Sequence, residues 1–106
     1  MTEGRAYISG PDDAGQRIEN AERAAQERGF EPVNPQKITQ SISHWEHSEI
    51  MEVRKALMRG CEAAFFMAGW KSSHTCQLEY SFAKSRNMAI ILWDKRGGAR
   101  NERAYL

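Results

Sequence analysis

The chain has 106 residues, of which 41% are hydrophobic, with 15 basic and 14 acidic side chains. That length fits one domain of modest size with a single core. The near balance of charge gives no reason to expect a nucleic acid polymer or an anionic membrane surface as a partner. The two cysteines form no disulfide framework, and no apolar run reaches the roughly 20 residues of a membrane span. We therefore expect a single cytoplasmic domain over residues 1–106, with reduced thiols and no membrane partner.

The first third of the chain alternates strand and helix patterns. An apolar strand pattern over 5–9 ends at Gly10, which is followed by proline and marks a turn. Apolar positions then recur at helical spacing until Gly29, a typical helix end. A short second strand is predicted over 30–34. Together these elements predict one βαβ unit with a right-handed crossover.

The alternation continues through the middle of the chain. Residues 36–43 are polar and turn-like, and helical spacing returns from Trp45 until Gly60. The runs 63–68 and 88–93 are continuously apolar, which is typical of parallel strands covered on both faces. A further helix is predicted between these two strands.

Four strands alternating with three helices predict an α/β fold. We expect a three-layer open parallel sheet of four strands in the order 2-1-3-4, flavodoxin-like or Rossmann-like. The tail, residues 95–106, is expected to be irregular. Loops at the carboxyl ends of parallel strands meet at one edge of the sheet, where ligands bind in such folds. In this chain those loops are 9–15, 34–43, 69–73 and the segment from Asp94 onward, and the first and third are the polar, glycine-containing ones.

The most informative stretch is 70–83, where an apolar strand gives way to a polar turn and then a helix. Ser72 and Ser73 lie in the turn, and Glu79 follows six residues after Ser73. The N-terminus of a helix offers free N–H groups to an anion. A phosphate-binding turn beside a single carboxylate is typical of an enzyme that acts on nucleotides or phosphosugars. The alternative is a capped helix with an ordinary surface glutamate.

Other candidate binding residues lie at strand ends. Gly10 would let the backbone approach a ligand closely and Ser9 offers a hydroxyl, although a plain turn is the alternative and the GxGxxG fingerprint is absent. Asn34 could contact a ribose or base, or could belong to a turn. Trp70, directly after Gly69, could stack on a base or cover the sheet edge.

The remaining polar clusters give weaker signals. His44 and His47 are three residues apart, but no third ligand follows at a zinc-like spacing, so no metal site is predicted. The acidic residues of the middle helix most simply form a solvated face. Among them, Glu52 could turn toward the cleft beside Glu79. Paired carboxylates would allow one to act as base or nucleophile while the other orients the substrate.

Several short motifs occur together in a fixed order. They are YISGP at 7–11, NP at 34–35, WE at 45–46, CE at 61–62, GW at 69–70 and a serine six residues before a glutamate at 73–79. In this order and spacing they resemble the nucleoside 2-deoxyribosyltransferase-like superfamily, and most closely a branch of small, mostly uncharacterised phage and bacterial proteins. The resemblance covers residues 5–93. Thr75 and Cys76 depart from the glycine and alanine of that branch.

The resemblance implies cleavage or transfer at the N-glycosidic bond of a nucleoside 5′-monophosphate or a nucleoside. By the same resemblance, Glu79 attacks C1′ as nucleophile, Tyr7 positions it, Ser73 binds the 5′-phosphate and Glu52 takes the place of an active-site aspartate. A carboxylate close to C1′ would stabilise the oxocarbenium-like charge that forms there. No cofactor is expected, and relatives suggest a homodimer or higher homo-oligomer that completes the cleft.

Two other functions remain open from the sequence. The chain could be a non-catalytic nucleotide-binding or sensing module, such as a phage accessory protein. It could also be a protein-interaction domain in which the same residues serve only as helix caps and turns.

Overall fold

The computed structural model describes residues 4–11, 14–94 and 98–101. It contains the predicted parallel sheet, in the predicted order. The strands are β1 (Arg5–Ser9), β2 (Glu31–Val33), β3 (Ala63–Met67) and β4 (Ala89–Asp94), and they lie side by side as β2-β1-β3-β4. The α/β class and the flavodoxin-like or Rossmann-like arrangement are thus confirmed.

Four α-helices connect these strands. They are α1 (Arg17–Glu27), α2 (Pro35–Ile38), α3 (His47–Arg59) and α4 (His74–Ser85). The segment 36–43, expected to be turn-like, forms most of α2 and a 3-10 helix, Thr39–Ile42. Asn34 starts α2 because its side-chain oxygen accepts the backbone N–H of Lys37 at 3.2 Å. None of the described helices is long and apolar enough to cross a membrane.

Each face of the sheet has its own core. In β1 the side chains of Ala6 and Ile8 pack with α1 on one face, and Tyr7 packs with α3 and α4 on the other. This follows from the alternation of side chains along a strand. Ser9 shares the α3 and α4 face with Tyr7, so polar groups at the end of β1 point toward those two helices.

A fifth strand, β5 (Gly98–Asn101), pairs antiparallel with β4 at the edge of the sheet. The expectation of an irregular tail is therefore wrong for these four residues, and residues 95–97 and 102–106 lie outside the described part. An antiparallel neighbour needs only a short hairpin, and its ladder is made of backbone groups. For that reason a segment without an apolar run can still form a strand.

Gly10 is buried directly after β1. A Cβ atom at this position would overlap Sδ of Met67, which is 1% exposed in the core beneath it. The glycine therefore allows the chain to leave the sheet in close contact with β3. Packing, rather than an unusual backbone angle, requires glycine here.

We expect Gly10→Ala to destabilise the fold by about 1–3 kcal/mol, because an extra methyl group must displace a packed side chain. Urea unfolding measures the change. Gly60→Ala is the matched control, since its Cβ would meet only a carbonyl oxygen at 3.5 Å. Adding Met67→Val, which removes the clashing atom, should make the combined cost less than the sum of the two. Equal costs for both glycine variants would contradict this account.

Candidate functional site

The centre of the site is the carboxylate of Glu79, which is only 1% exposed. It lies on α4, whose start is fixed by Ser73: the serine hydroxyl accepts the backbone N–H of Cys76 at 3.3 Å. A serine at this position satisfies one of the free N–H groups of the first turn. The helix then continues so that Glu79 faces the carboxyl end of β1.

Two hydroxyl groups of β1 donate hydrogen bonds to this carboxylate. The hydroxyl of Tyr7 donates to Oε2 of Glu79, and that of Ser9 donates to Oε1 at 2.6 Å. Tyr7 and Ser9 are two residues apart, so they point to the same face of the strand. Both oxygens of the carboxylate are thus held by a rigid central element of the sheet.

Arg54 of α3 provides the third contact. Its Nη1 lies 3.4 Å from Oε2 of Glu79, and its side chain is 9% exposed. Burying a lone carboxylate costs several kcal/mol, and a paired cation with hydrogen bonds offsets that cost. Nε of Arg54 is also buried but has no hydrogen-bond partner among the described residues. The ion pair therefore uses only part of the guanidinium.

The environment shifts the acidity of the buried groups. Burial raises the pKa of Glu79 above its ordinary 4.5, while Ser9, Tyr7 and Arg54 act in the opposite direction. Burial and the neighbouring Glu79 raise the pKa of Tyr7 well above 10.0, so this hydroxyl stays protonated and remains a donor. Burial also raises the pKa of Cys76 above 9.0, which keeps its thiol protonated and a poor nucleophile at neutral pH.

A cavity of about 340 Å³ opens beside the cluster, between the segment 36–43, α3 and the first turn of α4. Arg54 and His47 border it from α3, and Thr75 borders it from α4. His47 and Thr75 also join the two helices, with 3.3 Å between Nε2 and Oγ1. Arg54 contacts both this cavity and Glu79, whereas Glu79 itself does not line the cavity.

The structure brings Tyr7 and Ser9 to Glu79, but it places Glu52 elsewhere. The carboxylate of Glu52 pairs with Lys55 at 3.3 Å, and its side chain is 69% exposed. Side chains two residues apart on a helix point in nearly opposite directions, so Glu52 faces solvent while Arg54 faces the core. The charged neighbour of Glu79 is therefore the guanidinium of Arg54, and not the carboxylate of Glu52 that the sequence analysis expected.

The other candidate binding residues have structural contacts. Ser73 and Asn34 cap α4 and α2, as described above. Trp70 stacks on Tyr80, with ring centroids 4.5 Å apart, and also packs against Phe66. Gly69 has a φ of 92°, in the left-handed region, and leads into the 3-10 helix Trp70–Ser72. These contacts favour the cap and edge-covering interpretations, and any role in binding stays a prediction.

Arg54 was not found by the sequence analysis, although a signal was present. Arginine is mostly exposed, so a charged residue on an amphipathic helix is normally assigned to its outer face. Arg54, however, lies four residues after Ile50 and four before Met58, on the apolar stripe of α3. A basic residue at that spacing indicates a buried partner of opposite charge.

The fold and site define a small α/β protein with a parallel sheet and a buried carboxylate cluster at the carboxyl end of β1. A family model described as a domain of unknown function, DUF4406, matches residues 5–92, and the chain belongs to this family. The matched region contains the whole cluster. No match was found among curated proteins or solved structures. In the described residues, no group of three or more His, Cys, Asp or Glu side chains could hold a metal ion.

We expect the stability of the protein relative to Glu79→Gln to fall as pH rises above about 4.5. The raised pKa of Glu79 means that the folded state holds the proton more tightly than the unfolded state. The stabilisation this gives is fully present below the unfolded pKa, and it is lost as pH rises through the folded pKa. Urea unfolding between about pH 4 and about pH 8 measures the difference. The stability difference between wild type and the exposed Glu27→Gln variant should change little with pH. A difference between wild type and Glu79→Gln that stays constant over this range would contradict the assignment.

Proposed function

We propose that the protein cleaves the N-glycosidic bond of a nucleoside 5′-monophosphate or nucleoside, with Glu79 as the nucleophile. The observation that supports this most directly is the single carboxylate held by Tyr7, Ser9 and Arg54 next to a cavity. A carboxylate fixed by hydroxyl donors is suited to approach one carbon in one orientation. The motifs that resemble the deoxyribosyltransferase-like superfamily agree with this chemistry.

In the proposed reaction an oxygen of Glu79 forms a bond to C1′ of the sugar. The C1′–N bond breaks, and its electron pair leaves with the base, which takes up a proton. Water or a second base then displaces the carboxylate, which gives hydrolysis or transfer respectively. The negative charge of Glu79 stabilises the positive charge that develops at C1′. Tyr7 and Ser9 act as positioning residues by fixing the rotamer of the carboxylate.

Access to Glu79 depends on Arg54. Since Arg54 borders the cavity and Glu79 does not, a sugar in the cavity reaches Oε2 only after the guanidinium moves aside. In the resting state the same guanidinium favours the ionised form of the carboxylate. We therefore propose that Arg54 controls access to Glu79 and favours its ionised form in the resting state.

A second candidate function is nucleotide binding without cleavage. It is favoured by the 1% exposure of Glu79, whose two oxygens already have protein partners. In that case the cluster stabilises the core, and the cavity alone binds the nucleotide. The two candidates differ in whether free base is released.

We also propose that the protein is cytoplasmic and forms a homodimer or higher homo-oligomer. The free thiols of Cys61 and Cys76 support a reducing compartment. The resemblance to relatives that complete the cleft with a neighbouring subunit carries the proposal of an interface, and Trp45 and Leu78, which are 44% and 37% exposed, offer apolar surface for it.

Incubation with a panel of deoxynucleoside 5′-monophosphates and deoxynucleosides should release free base, measured by chromatography. Glu79→Gln should lower kcat by about 10³-fold or more, because the bond to C1′ can no longer form. Tyr7→Phe should lower kcat by roughly 10²-fold, since the carboxylate loses its orientation. Glu27→Gln should leave the rate unchanged. Saturable binding without any base release would favour the second candidate, and neither binding nor release would contradict both.

The acid side of the pH profile tests the proposed role of Arg54. Only the ionised carboxylate is a nucleophile, so kcat/KM should rise with pH through the raised pKa of Glu79. Because Arg54 lowers that pKa, Arg54→Gln should move the acid limb to higher pH. Arg59→Gln, on the exposed part of the same helix, should leave the limb in place. An unchanged limb in Arg54→Gln would show that the guanidinium does not act on the nucleophile.

A further inference from the structure

The cavity beside the cluster has the charge pattern of an anion site. Arg54 borders it together with His47, hydrogen-bonding side chains such as Gln36 and Thr75, and the apolar Ile50 and Met51. Among the described residues that line it, none is acidic. An anionic ligand would therefore meet no carboxylate among the described lining residues, and Arg54 both lines the cavity and contacts the buried Glu79.

Arg54 supplies a second, independent observation. Its residue is 8% exposed, and its buried Nε–H has no partner among the described residues. Buried polar groups in folded proteins almost always have a hydrogen-bond partner, so this donor still has bonding capacity that the protein does not use. The planar guanidinium presents adjacent N–H groups that match two oxygens of a phosphate. The ion pair with Glu79 uses Nη1 only.

We propose that this cavity binds a phosphate group, held by the guanidinium of Arg54 and completed at its rim by His47 and Thr75. The assignment of this group to the 5′-phosphate of the substrate rests on the proposed function, whereas phosphate binding itself does not. Ser73, which the sequence suggested as the phosphate ligand, does not line this cavity and caps α4 instead. The phosphate is thus anchored by a cation from α3.

Titration of ¹⁵N-labelled wild-type protein with inorganic phosphate tests the site without any turnover. Sodium chloride keeps the ionic strength constant, so that general screening does not contribute. We expect saturable shifts of backbone amides in three places around the cavity: residues 39–43, residues 47–54 and Thr75. Absence of saturation, or shifts centred on Gly10 and Ser73, would overturn the proposal.

Substitution of Arg54 provides a second test of the phosphate site. Arg54→Gln should weaken inorganic phosphate binding by about tenfold or more, because a charge-assisted hydrogen bond is lost. Arg59→Gln is the matched control, since Arg59 lies over the ring of Phe82 and away from the cavity. If Arg54→Gln does not fold, His47→Gln replaces it, because His47 is exposed and should also weaken binding. Equal affinities of the substituted and control proteins would overturn the proposal.

Comparison of ligands separates this inference from the proposed function. A deoxynucleoside 5′-monophosphate should bind more tightly than its deoxynucleoside, and Arg54→Gln should remove that advantage. Phosphate binding with no advantage for the monophosphate would confirm the anion site and contradict its link to a nucleotide substrate. Base release that is equally fast with and without the 5′-phosphate would support the reaction while contradicting the assigned role of the site.

Discussion

The arrangement of β1, α3 and α4 depends on one energetically costly feature, the burial of the Glu79 carboxylate. A charge removed from water must be paired and hydrogen-bonded, or it takes up a proton. Here a strand supplies two hydroxyls and a neighbouring helix supplies a guanidinium. These contacts tie β1, α3 and α4 to a single point. The polar cluster therefore adds a specific meeting point for those three elements to the apolar packing around it.

The sheet makes this arrangement possible by separating its two faces. Side chains of β1 alternate, so Ala6 and Ile8 pack against α1 in a purely apolar core. Tyr7 and Ser9 face the opposite side, where α3 and α4 leave room for polar groups and a cavity. Both faces thus carry an apolar core, and the α3 and α4 face also carries the site. A one-residue shift of β1 would exchange the two faces and remove both the site and the core.

The sheet order could be predicted because continuous apolar runs, such as 63–68, indicate strands buried on both faces, and short helices between them leave few topologies. Glu79 was selected from its position six residues after Ser73, and the structure places its carboxylate in the buried cluster, while its chemical role stays a prediction. Arg54 was missed because the position of a residue around the helix axis decides whether its charge faces the core or solvent. Glu52 and Arg54 are only two residues apart, yet they point in nearly opposite directions. The strand Gly98–Asn101 was missed because it is formed by backbone pairing with β4, and backbone pairing leaves no apolar pattern in the sequence.

The three contacts to Glu79 differ in strength, and that difference bears on function. Ser9 donates at 2.6 Å from the middle of the sheet, whereas Nη1 of Arg54 lies 3.4 Å away at the end of a long side chain. The arginine contact is therefore the one that a ligand can most readily displace. A phosphate in the cavity would compete for the same guanidinium and, by drawing it away, free Oε2. Tyr7 and Ser9 would meanwhile keep the carboxylate oriented, so binding of the anion would expose, in the proposed reaction, a carboxylate that is already in position.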